Sequence, residues 1–187
     1  MFPRYFNSHI AFILLIAAIW ACGSSTSNTA DTDKANKLVD EGNAAVEQVK
    51  KLVGDAEAKK DEMMRTDVRR LAEARARAAE SIAAYDQAAA KCKEAASKFD
   101  EASRLNVSDK FKQYLVLKTK EFNKRAELMQ AAKDTPQALI ESTNRSSFQN
   151  RVASNQSKIN QLYKEAEDLG AQADKIYKDN PDIFKKS

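Results

Sequence analysis

A chain of 187 residues with 31% charged and 43% hydrophobic residues, only four Gly and three Pro, has the profile of long helices. It excludes a fully disordered chain and has the length for one domain or one long rod. The net charge of +4 comes from 31 basic and 27 acidic residues, and no basic run stands free of interleaved acids, which argues against a nucleic-acid partner.

The chain starts with a basic residue, Arg4, an apolar run from Ile10 to Ala21, and then Cys22. A run of that length is short for a membrane span, so residues 1–21 read as a signal peptide that is removed. Ile19-Trp20-Ala21-Cys22 resembles the lipobox of bacterial lipoproteins, with an aliphatic residue three before the cysteine and a small residue directly before it. Trp20 departs from that pattern, which usually has a small residue there. The resemblance implies that Cys22 becomes the N-terminus and the lipid attachment site, with palmitate among its acyl chains, enough together for stable anchoring. Residues 22–32 then form a polar, small-residue tether of Gly, Ser, Thr and Asn. In double-membrane bacteria the same resemblance favours the outer membrane over the inner, because Gly23 rather than Asp follows the cysteine. A plain secretory leader cut near Ala21, or an uncleaved anchor, is the competing reading.

Residues 33–178 read as an all-α domain, with Asp31, Thr32 and Asp33 suited to start its first helix. Leu38, Gly42, Ala45, Val49, Leu52 and Ala56 recur in steps of three and four. Gly54-Asp55 either ends that helix or shifts its register, so one or two helices fit residues 33–105. The stripe continues through Met64, Val68, Leu71, Arg75, Ala78, Ile82, Tyr85, Ala89, Cys92, Ala96 and Phe99 in an Ala-rich segment suited to close packing.

Asn106-Val107-Ser108-Asp109 is the central turn, with Ser108 as N-cap. Phe111, Leu115, Phe122, Met129 and Ala132 form a bulkier face, so that folding back sets Phe99 opposite Leu115, Cys92 opposite Phe122 and Tyr85 opposite Met129. Asp134-Thr135-Pro136 reads as an N-cap followed by Pro at the first helical position, and Asn144 to Ser147 weakens the helix beyond. The last stripe runs from Phe148 through Val152, Asn155, Ile159, Leu162, Ala166, Leu169 and Ala173 to Ile176, with Asn155 its one polar member. Asn180-Pro181 ends it and leaves residues 179–187 as a frayed tail. The expected architecture is an elongated antiparallel helical bundle, or else a two-armed coiled-coil-like hairpin about 100 Å long.

The chemistry is sparse. The one His, His9, and the one Trp, Trp20, both lie in the leader, so the body lacks the usual general base and the commonest zinc ligand. Carboxylates stand beside cations at surface spacing, Glu57 and Asp61 near Lys60 and Glu94 near Lys98, as solvated helix pairs do. Cys92 reads as a reduced core thiol. The Asn-X-Ser/Thr matches at Asn106, Asn144 and Asn155 read as chance, and Phe111 and Tyr114 among lysines read as core rather than as a nucleic-acid platform. No catalytic, metal or cofactor residue is expected. The expected function is that of a non-enzymatic, lipid-anchored cell-envelope protein whose body acts as spacer, scaffold or partner-binding module. Its expected partners are a membrane, through the lipid, and an unidentified protein, with homo-oligomer formation open through the helical faces. The alternatives are a soluble periplasmic holdase-type chaperone and a surface-exposed helical lipoprotein contacting other cells or a host.

Overall fold

The structure is a computed structural model that describes residues 29–184. The described residues form an all-α helical bundle. Helix α1 spans Thr29–Arg65, a 3-10 turn covers Val68–Arg70, and α2 spans Leu71–Ser103. Then follow α3 (Asp109–Ala132), the short α4 (Asp134–Glu141), α5 (Arg145–Asp179) and a 3-10 turn at Pro181–Phe184. At 1.5 Å per residue the 37-residue α1 is about 55 Å long. The bundle is therefore elongated, and the 100 Å hairpin is ruled out because the chain turns back after Arg65.

Packing follows chain order: α1 on α2, α2 on α3 and α3 on α5, with α4 bridging α2 and α5. No comparable seam joins α1 to α5. Neighbouring long helices are antiparallel. Glu41 meets Lys98 at 2.8 Å, Ser81 Oγ donates to the Ala56 carbonyl at 2.9 Å, and Arg77 Nε lies 3.0 Å from Glu62, which fixes the α1–α2 register along its whole length. One end of the bundle carries Thr29, the α2–α3 turn and Phe184; the other carries the Val68–Arg70 turn, α4 and Asn144.

The first and last stripes lie where their periodicity puts them. Gly42, Ala45, Val49 and Ala56 are buried on α1, as are Asn155, Leu162, Ala166 and Ala173 on α5, so both stripes are used within one chain. Helix α1 runs through Gly54, which is exposed. The break falls instead at Thr66-Asp67. Thr66 Oγ1 bonds back to the Glu62 carbonyl, and the Asp67 carboxylate accepts from Arg69 N–H at 2.8 Å, an N-cap that starts the next turn. This break resets the register. Leu71 and Arg75 are consequently exposed while Ala74 and Ala78 turn inward beside Leu139; before the break, the buried stripe of α1 continues from Ala56 to Met63 and leaves Met64 exposed.

Ser108 caps α3 by accepting from Phe111 N–H at 3.3 Å, and Phe111, Leu115, Phe122 and Met129 are buried against the Ala-rich α2. The Phe99 ring lies 5.7 Å from that of Phe122, reaching past the level expected for it. Asp134 makes no capping bond. Lys133 joins α3 to α4 in helical conformation, and Pro136 sits third in α4, where a missing N–H goes unnoticed. Asn144 is the cap of α5, accepting from Ser147 N–H at 2.9 Å.

Both ends of the body are more ordered than expected. Helix starts by Thr29, so residues 29–32 belong to α1 and not to the tether. Phe184 is 5% exposed and packs on Tyr177, Tyr114 and Phe111, with ring centroids 4.8, 5.0 and 5.4 Å away. The apolar gain of burying that ring, about 1.5–3 kcal/mol, holds residues 181–184 against fraying.

Candidate functional site

The sequence singles out Cys22, with Ile19-Trp20-Ala21 before it, and these residues lie outside those described. Within the body, the groups with chemical potential form two buried polar clusters.

The first lies between α3 and α5. Glu121 is 3% exposed, and its carboxylate accepts from Lys118 Nζ at 2.6 Å and Arg125 Nε at 2.8 Å. Helical spacing of three and four places both cations on its own face of α3. Arg125 Nη2 donates in turn to Glu167 on α5 at 2.9 Å. Burial opposes the Arg125 charge, but Glu121 and Glu167 beside it hold its pKa above the ordinary value. The Phe122 ring lies under both cations, 5.0 Å from Lys118 Nζ and 5.9 Å from the Arg125 guanidinium carbon. Gly170 leaves the room this carboxylate occupies.

Cys92 is buried nearby as a free thiol. Burial pushes its pKa up to about 12, with Glu121 raising and Arg125 lowering it. It stays protonated near neutral pH, when a nucleophilic cysteine needs the thiolate.

The second cluster joins α1 to α2. The fully buried Tyr85 hydroxyl donates to the Glu57 carboxylate, which also accepts from Lys60. Burial and the Glu57 charge both push the phenol pKa upward, so it remains a donor. Glu57 is thus a tertiary acceptor rather than a solvated surface acid, and the expected Glu94–Lys98 pair is replaced by Lys91–Glu94 and Lys98–Glu41. Asn155 donates Nδ2 to the Ala131 carbonyl at 2.7 Å. Among the described residues no buried side-chain nitrogen or oxygen lacks a partner.

The carboxylates of Glu121, Glu57 and Glu167 are each engaged by neighbouring side chains, and among the described residues no group of His, Cys, Asp and Glu is arranged to hold a metal ion. Sequence reasoning missed the burial of Glu121, whose one signal is a glycine opposite it on another helix. Among the described residues no helix is long and apolar enough to cross a membrane. No protein-family model, curated protein or solved structure matches this chain.

Proposed function

We propose that this chain is a non-enzymatic, lipid-anchored protein of a bacterial cell envelope, held to the membrane by acyl chains on Cys22. The observation that carries this reading is Ile19-Trp20-Ala21-Cys22 at the end of an apolar leader, followed at once by small polar residues and then by helix from Thr29. The body serves as a spacer, scaffold or partner-binding module. Its shape supports that role, because three antiparallel seams join long helices side by side, the longest of them about 55 Å. Gly23 directs it to the outer membrane where two membranes exist.

The test is metabolic labelling with palmitate in cells expressing the chain or its Cys22→Ser variant. Label on the parent and none on the variant is expected; a soluble, unlabelled parent would sink the reading.

A further inference from the structure

The arginines are collected at one end of the bundle. Arg65, Arg69, Arg70, Arg75 and Arg77 surround the α1–α2 turn, and Arg145 and Arg151 open α5 beside it; only Arg104 and Arg125 of residues 29–184 lie elsewhere. Lysine supplies the positive charge along the rest of the body, and none occurs between Lys60 and Lys91. Residues 63 to 77 hold five arginines and two acids, Asp67 and Glu73, with Asp67 engaged in capping the turn, while the flanking Asp61, Glu62 and Glu80 pair with Arg65 and Arg77, and Glu141 pairs with Arg151. Arg65 and Arg70 approach Asp61 and Glu73, whereas Arg69 and Arg75 are exposed and make no ion pair among the described residues.

The same end exposes apolar side chains. Met64 is 51% exposed, Leu71 43% and Ile140 38%, three of the four exposed large hydrophobic residues among those described. Met63 and Leu139, next in sequence to Met64 and Ile140, turn inward to the small buried cluster with Ala74 and Ala78.

We propose that this end of the bundle docks onto an anionic phospholipid surface. Guanidinium groups match lipid phosphates as bidentate donors, better than lysine does. Met64, Leu71 and Ile140 then enter the boundary between headgroups and acyl chains, as the apolar side of an interfacial amphipathic segment does. The apolar residues favour lipid over nucleic acid, because against a phosphate backbone they gain nothing. The docking does not depend on acylation of Cys22.

The experiment uses the full chain carrying Cys22→Ser, so that its failure is distinct from failure of the lipidation reading. Flotation is measured with vesicles of phosphatidylcholine alone and of equal parts phosphatidylcholine and phosphatidylglycerol; the leader contributes alike to every variant. The parent should bind the anionic vesicles more tightly, and added salt should weaken the difference. R69Q/R75Q should bind them about twenty-five-fold more weakly, at about fivefold per arginine lost. M64Q/L71Q should also bind more weakly, and both pairs are exposed, so circular dichroism should show unchanged helix content. Equal binding by R69Q/R75Q and the parent would overturn the proposal. So would tighter binding of a mixed-sequence DNA duplex than of the anionic vesicles, or indifference to M64Q/L71Q.

Discussion

The carboxylate of Glu121 occupies the space that a side chain at residue 170 would fill: a Cβ built on Gly170 lies 3.2 Å from Glu121 Cδ. The α3–α5 seam is thus closed by an ion cluster and a missing side chain together. Glu121→Ala leaves Lys118 and Arg125 in a desolvated place with one anion fewer, and should cost about 3 kcal/mol in urea unfolding. Gly170→Ala should cost about 1–3 kcal/mol because the carboxylate must move. In the Glu121→Ala background the same change should become neutral or stabilising, since a helical Ala is favoured by about 1 kcal/mol over Gly. Additive losses in that double-mutant cycle would break the link between the two residues.

Two glycines of α1 should respond in opposite directions to the same substitution. A Cβ at Gly42 would lie 2.9 Å from Phe99 Cε1, and Phe99 is itself fully buried on Phe122. Gly42→Ala should destabilise by about 1–3 kcal/mol through overpacking. Nothing lies within 4 Å of a Cβ at the exposed Gly54. Gly54→Ala should raise stability by about 0.5–1 kcal/mol through helix propensity alone. Thermal midpoints of the two variants check both signs.

Acid should loosen the contact of α2 with the α3–α4 junction. The Lys133 ammonium at 2.6 Å, with help from Gln130, holds the Asp86 carboxyl below its ordinary pKa of 3.8, against a smaller opposing effect of burial. A depressed folded pKa gives stability that is present above the unfolded value and lost as pH falls through the folded one. The advantage of the parent over Asp86→Asn should therefore hold at pH 7 and fall away as the pH drops below the ordinary carboxyl value, staying under about 1 kcal/mol because the carboxylate is half-exposed. Urea midpoints of both chains across that range measure it, and an advantage that grows on acidification would contradict the assignment.

Cys92 should be inert in the native chain. Its burial and raised pKa leave almost no accessible thiolate at pH 8. An aromatic disulfide reagent should react with it slowly in buffer and at once in urea. Fast native reaction would mean that the α2–α3 seam opens far more readily than its packing implies.

Periodicity made much of this fold legible. The stripes from Leu38 to Ala56 and from Phe148 to Ile176 are single faces of single helices, and their spacing alone identifies the inner side. The break at Thr66-Asp67 was hidden because it uses neither Gly nor Pro, only side-chain bonds to Glu62 O and Arg69 N. Beyond it Leu71 faces out and Ala74 in, while before it α1 keeps its own stripe from Ala56 to Met63 and leaves Met64 outside. Pairs between helices, such as Tyr85 with Glu57 or Glu121 with Gly170, leave no local trace, because each partner has a bland neighbourhood in sequence. Phe184 looked like tail because only the tertiary neighbours Phe111, Tyr114 and Tyr177 give it a place.

The anchor at Cys22 is the most direct point of test. Mass spectrometry of the N-terminal fragment from protein purified out of membranes should give a fragment that begins at Cys22 and carries the added mass of its acyl chains. A fragment that begins elsewhere, or that begins at Cys22 with no added mass, would contradict the lipid-anchored reading and leave the helical body without its anchor.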